Sequence, residues 1–138
     1  MGAMSRTKGA AGERELAAAL RELTGWDIRR RVRQHDGDSD LEGVPGWSIE
    51  VKRHRAATQS VIEGWWNQAV RQAKNGATPV LFYRLDREPW HAVWPISIHL
   101  VGWHPSTWDV FDWTVTGMLP AWCAVARERV GRWSVTCP

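Results

Sequence analysis

Residues 47–54 read "WSIEVKRH". The alternation predicts a strand, with Ile49 and Val51 on one face and Ser48, Glu50 and Lys52 on the other. Glu50 and Lys52 are two residues apart on one face, about 7 Å from each other. A strand buried enough to use Ile and Val has no evident reason to set a carboxylate beside an ammonium group.

Working outward, "PG" at 45–46 predicts a turn, and residues 40–44 a short strand paired with 47–53. That pairing carries Asp40 toward Glu50. The loop "QHDGDSD" also supplies Asp36 and Asp38. Two carboxylates pressed together repel unless a cation lies between them. All-oxygen ligands select a hard ion, Mg²⁺ or Mn²⁺. The polar face of strand 47–53 is therefore a candidate metal face, flanked by Lys52.

Upstream, "KGAAGERELAAALREL" (8–23) predicts a helix with Leu16, Leu20 and Leu23 in one stripe, stopped by Gly25. Glu15 and Glu22 point away from that stripe. Glu13 lies about 60° from Leu16 around the helix, at the stripe's edge. An acid there needs a partner: an Arg of "RRRVR", or a metal ion or its water shell. "WDIRRRVR" (26–33) predicts a strand. Ser60 with Glu63 predicts a capping box opening a second helix with Val61, Trp65, Ala69 and Ala73 in a row, ended by Asn75-Gly76. "TPVLFYRL" (78–85) predicts a central strand and "WHAVWPI" (90–96) another. "WDVFDWTV" (108–115) predicts a strand, and "PAWCAVARERV" (120–130) a helix with Pro at its first position.

The 138 residues suit one domain, 1–138, with its main unit at about 5–96 and a Trp-rich C-terminal extension at about 97–138. Ten of the eleven Trp lie beyond residue 40, expected in the core or a subunit interface more than as base-stacking platforms. No apolar run is long enough to span a bilayer and no secretory pattern opens the chain, so a cytoplasmic protein is expected. "MGAM" is set aside as a cloning remnant or upstream start. Cys123 and Cys137 lack a metal-ligand spacing and are expected to be reduced thiols. The five His show no ligand spacing either; His54, next to the candidate site, is the one of interest.

Net charge is +3, unevenly spread: residues 1–84 hold 14 Lys and Arg against 10 Asp and Glu, and residues 85–138 hold 4 against 5. The dense runs "RRRVR" and "KRHR" favour a polyanion partner. Lys8, Arg14, Arg29, Arg30, Arg31, Arg33, Arg53 and Arg55 are the candidate phosphate contacts, which position a nucleic acid rather than read its sequence.

Taken together, "KGAAGERELAAALREL", "SDLEG", "IEVK" and "WWNQAVRQAKNG" resemble the PD-(D/E)xK nuclease superfamily, and within it the archaeal-type Holliday junction resolvases with their phage-borne relatives. The likeness covers about residues 8–85. Ser39 stands where the motif usually has Pro, and Asp38 competes with Asp40; Asp40 is preferred because Leu41 follows it. The segment after about residue 88 matches nothing in the family. The resemblance implies an α/β fold of restriction-endonuclease type, a mixed, mostly parallel central sheet flanked by helices. It also implies Mg²⁺, with Mn²⁺ substituting, held by Asp40, Glu50 and the Val51 carbonyl, with Glu13 direct or through water. Lys52 would orient the attacking water, and Gln68 would hold Lys52 or a metal-bound water. A homodimer making paired nicks in four-way DNA junctions, in a bacterial, phage or archaeal nucleoid, is the implied function. The competing readings are a repair or restriction-type endonuclease on linear or flapped DNA, a non-catalytic DNA-binding module, and a domain whose Asp, Glu and Lys form ordinary surface ion pairs.

Overall fold

The computed structural model describes residues 2–31, 39–100 and 108–136, with side chains between positions 9 and 129 of those. Its elements run α1 (Gly2–Thr24), β1 (Arg29–Arg30), β2 (Leu41–Glu42), β3 (Trp47–Arg53), α2 (Gln59–Gln72), β4 (Thr78–Arg84), β5 (His91–Pro95), β6 (Thr114–Met118) and α3 (Leu119–Thr136). The six strands form one mixed sheet in sequence order. β3 and β4 are parallel, joined by α2 as a crossover, and every other pair is antiparallel. The expected mostly parallel centre is thus a single parallel pair, because only one connection carries a helix long enough for a crossover.

The "PG" turn forms as the sequence requires. Gly46 has φ +82°, and the Trp47 N–H donates to the Val44 carbonyl at 3.3 Å. Pro45 and Gly46 thus occupy the two central positions of a turn that needs a positive φ at the second. β4 is apolar on both faces because both are covered. On one side Leu16, Ala17 and Leu20 of α1 and Trp122, Cys123 and Ala126 of α3 pack on Ile49, Val51, Val80 and Phe82. On the other, Trp65, Trp66 and Ala69 of α2 pack on Leu81 and Val93. Trp122 stands edge-on to both Trp47 (5.4 Å) and Phe82 (4.9 Å). β6 and α3, from the Trp-rich extension, therefore build onto the same sheet and core.

Several local expectations are corrected. α1 starts at Gly2, so the four residues set aside fall mostly within helix. Leu23 is 38% exposed and leaves the buried stripe at Leu16 and Leu20, since α1 ends one residue later at Thr24, before Gly25 (φ +76°). Strand 26–33 shortens to Arg29–Arg30 in what is described; Arg33, His35, Asp36 and Asp38 lie outside the described residues. Thr58, not Ser60, caps α2, its hydroxyl accepting from the Val61 N–H at 3.3 Å. Val61 is consequently in the first turn and exposed. Residues 111–113 form a 3-10 turn rather than strand, and pairing with β5 begins only at Thr114. Pro120 takes the second position of α3. Among the described residues, no helix is long and apolar enough to cross a membrane.

Candidate active site

β2 is the element that assembles the site, because it is so short. Leu41 pairs with Ile49, and the Asp40 N–H donates to the Ile49 carbonyl at 2.7 Å. There the ladder stops. Instead of a further backbone bond, Asp40 Oδ2 accepts from the Val51 N–H at 2.8 Å. A strand residue's N–H and C=O point to the same edge, so the Val51 carbonyl shares the edge where the Asp40 carboxylate sits. Asp40 is thereby fixed against β3 by its own side chain.

Glu50 lies on the α2 face of β3, 4% exposed. Its Oε1 is 3.4 Å from Lys52 Nζ, the same-face spacing seen in the sequence. Among the described residues its buried Oε2 has no hydrogen-bond partner. Such an atom costs free energy unless something absent from the protein itself satisfies it. Glu13, on the opposite face of β3, is also buried, and its Oε2 accepts from Arg30 Nε at 2.5 Å. The Arg partner expected from "RRRVR" is therefore Arg30.

Electrostatics set these acids apart from surface carboxylates. Burial pushes the Glu50 carboxyl up to about 7, Asp40 adds to the rise, and Lys52 opposes it. Burial likewise pushes Asp40 up to about 6, against the pull of the Val51 N–H, with the Glu13 charge adding to the rise. Two acids whose ionisation burial opposes, one with an orphaned oxygen, suit a divalent cation, which reverses both costs. The donor set is all oxygen: Asp40, Glu50 and the Val51 carbonyl. Among the described residues no group of three or more His, Cys, Asp or Glu side chains is arranged to hold a metal ion. The residues that could hold a cation here are Asp40 and Glu50 with the Val51 carbonyl, with Glu13 paired to Arg30 beside them.

Gln68 is half-buried on α2, one turn beyond Trp65, and makes no hydrogen bond to Lys52. Several candidate phosphate arms are occupied within the protein. Arg29 pairs with Asp27 (2.8 Å), Arg30 with Glu13, and Arg53 with Asp86 (2.8 Å). Arg31 donates to the Ser39 carbonyl and lies 3.5 Å from Glu42. Arg14 and Arg55 are exposed, and the Lys8 side chain and Arg33 lie outside the described residues. The sequence reading did not foresee the joint anchoring of Glu15 by Arg84 and by Trp90 Nε1–H (3.0 Å). Nor did it foresee the seating of the His54 ring on Trp65, 4.7 Å between centroids. Both depend on partners more than ten residues away, for which a single sequence carries no signal.

Among solved structures, the chain is similar to the 1.6 Å structure of Archaeoglobus fulgidus Hjc, a Holliday junction resolvase from an archaeal hyperthermophile. The two are 24% identical, with a TM-score of 0.45, over 62% of this chain and 70% of that one. Comparison with curated proteins finds no match. The family model described as "Phage putative PDDEXK endonuclease" matches residues 4–119, which takes in α1, the Asp40 and Glu50–Lys52 strands, and the sheet through β6. The chain belongs to this phage PDDEXK endonuclease family.

Proposed function

We propose that this endonuclease-family protein hydrolyses DNA phosphodiesters in a Mg²⁺-dependent reaction, with Mn²⁺ substituting, and that it acts selectively on branched DNA, four-way junctions first. The observation that carries the reading is the orphaned, buried Oε2 of Glu50 beside an Asp40 carboxylate held on the Val51 N–H. Asp40, Glu50 and the Val51 carbonyl bind the cation. When bound, the ion polarises the scissile phosphate and makes water a nucleophile near neutral pH. Lys52, already drawn to Glu50, orients the attacking water and stabilises charge developing on the phosphate oxygens. Gln68 turns toward Lys52 or a bound water from α2. Glu13, held by Arg30, completes the acidic side directly or through water. Water attacks phosphorus and the 3′ oxygen leaves, giving a 5′-phosphate and a 3′-hydroxyl.

The exposed Arg14 and Arg55, with Lys8 and Arg33, are the arms proposed to reach phosphates; Arg29, Arg30, Arg31 and Arg53 serve this role only if DNA competes with their protein acids. A homodimer supplies two such sites, as paired nicks in a two-fold junction require. The test is a labelled four-way junction beside a linear duplex of the same sequence, each with Mg²⁺ and with EDTA. Symmetric Mg²⁺-dependent nicks in the junction alone support the reading. Cutting of the duplex keeps the metal site and moves the function to restriction or repair. Tight junction binding with no cutting refutes catalysis.

A further inference from the structure

Beyond the acid pair, the α2 face of the sheet carries a row of side chains that the cation site does not use. Tyr83 of β4 stands opposite Lys52 in the parallel register, and His91 of β5 opposite Tyr83 in the antiparallel one. Neighbouring strands lie about 5 Å apart and partners in register project to the same face, so the three side chains stand abreast. Lys52 leans back to Glu50, its Nζ 3.4 Å from Oε1. The Tyr83 ring is held from two sides. His91 stacks on it, with centroids 5.0 Å apart and planes 23° apart, and Trp65 of α2 lies 6.0 Å away.

The fold packs this ring and makes no use of its hydroxyl. Tyr83 is half-buried, and among the described residues its hydroxyl makes no hydrogen bond. The buried polar side-chain atoms left without a partner there are Glu50 Oε2, Gln72 Oε1, Ser97 Oγ and Trp122 Nε1. The Tyr83 hydroxyl is not one of them, so it meets water. A buried phenol finds a partner inside the protein; this one is presented outward on a ring held in place. Burial, with the Glu88 charge adding to it, pushes the phenol up, so the group is an O–H donor at neutral pH. The row also has a direction: the Lys52 ammonium stands at one end, and at the other the Glu88 carboxylate lies 3.8 Å from His91 Nε2. An anion at the hydroxyl is drawn toward the Lys52 end. Asp40 lies on the β2 side of β3 and Tyr83 on the β4 side. A phosphate held at the acid pair is therefore across β3 from the hydroxyl. DNA carries a further phosphate at every nucleotide, and the next one along the strand is the one that β4 can meet.

We propose that the Tyr83 hydroxyl donates a hydrogen bond to the phosphate next to the scissile one and so positions the DNA strand across β3 and β4 for cutting. The inference rests on the nuclease reading and adds a substrate contact on β4. It is tested with the full chain as wild type and as Tyr83→Phe, which removes the hydroxyl and keeps the ring between His91 and Trp65. Wild type with Mg²⁺ first maps the cut on a four-way junction and on a linear duplex. The DNA that is cut is then made with one neutral methylphosphonate, at each of the two phosphates flanking the cut in turn. Tyr83→Phe is expected to keep the wild-type Tm, since the fold loses no hydrogen bond. It should cut unmodified DNA with kcat/KM about tenfold lower, the order of one hydrogen bond to a charged group, with the loss falling on KM. On DNA neutralised at one flanking phosphate the gap between wild type and variant should close to about twofold, and on DNA neutralised at the other it should persist, as coupled and independent sites require. A variant that cuts unmodified DNA as wild type does, an equal loss on all three DNAs, or a loss that comes with a lower Tm overturns this inference alone. Wild type that cuts neither the junction nor the duplex overturns the nuclease reading and the inference with it.

Discussion

Replacing Glu50 by Gln should make the metal-free protein more stable while ending its proposed activity. In the fold, burial and Asp40 raise the Glu50 carboxyl from an ordinary 4.5 to about 7. A raised acid contributes stability below its unfolded pKa and loses it as pH rises through the folded one. At pH 8 the carboxylate is ionised in both states, and holding it ionised in the fold costs about 3 kcal/mol. Gln has the same shape and no charge, so that cost disappears. A buried amide N–H₂ at the orphaned Oε2 position gives back part of it, about 1 kcal/mol if it finds only an imperfect partner. The net gain is then about 2 kcal/mol, on the order of 5 °C or more in Tm for a chain of this size. Thermal unfolding in EDTA across pH 4 to 8 measures it. The variant's advantage should be greatest at pH 8 and be gone at pH 4, below the ordinary value of 4.5, where wild-type Glu50 is mostly protonated in both states. Adding Mg²⁺ should raise the wild-type Tm, because the ion binds only the folded site, and leave the variant unmoved. A variant less stable than wild type at pH 8 in EDTA refutes the strained acid pair.

The remaining predictions concern the frame around the site. Gly12 sits inside α1, where Ala would ordinarily add about 1 kcal/mol, but a Cβ there meets Arg53 Cβ at 2.7 Å; Gly12→Ala should lower Tm and, by pushing α1 from β3, slow cleavage through Glu13. Arg30→Ala strands the buried Glu13 carboxylate and should cost about 2 kcal/mol, whereas Glu13→Gln should cost less, as chemical denaturation of the pair would reveal. Trp66 and Trp122 are both fully buried, but Trp66 Nε1–H donates to the Trp108 carbonyl at 2.8 Å while Trp122 Nε1–H has no partner among the described residues; Trp66→Phe should therefore lose more stability than Trp122→Phe. Mg²⁺ binding followed by calorimetry should release protons below about pH 7 and few above it, because Asp40 and Glu50 must ionise to bind.

The parts legible in the sequence are those fixed by short-range pattern. Glu50 and Lys52 had to share a face because strand side chains alternate, and they do, at 3.4 Å. Asp40 had to approach Glu50 because Pro45-Gly46 turns the chain tightly, and its carboxylate reaches the Val51 N–H. The "TPVLFYR" run had to be central because it has no polar face, and it lies between β3 and β5. The errors fall where tertiary packing chose among local options. Thr58 and Ser60 both offer a capping hydroxyl, and the bond to the Val61 N–H went to Thr58. "WDVFDW" alternates well enough for a strand, yet Trp66 uses the Trp108 carbonyl and Thr114 uses the Phe111 carbonyl, which bends the chain away from the sheet until Thr114. The two dense Arg runs read in the sequence as phosphate contacts, but Arg29, Arg30 and Arg53 find acids at close range. Charge density in a sequence cannot distinguish an arm that reaches outward from one that ties two elements together.

The central claim is that Asp40, Glu50 and the Val51 carbonyl form one cation site. Crystals soaked in Mn²⁺ and measured at the manganese edge test it directly. The account predicts one strong anomalous peak at bonding distance from an oxygen of Asp40, from Glu50 Oε2 and from the Val51 carbonyl, absent in Glu50→Gln. A peak bound elsewhere on the protein, or an acid pair that stays metal-free at millimolar Mn²⁺ and pH 8, contradicts it.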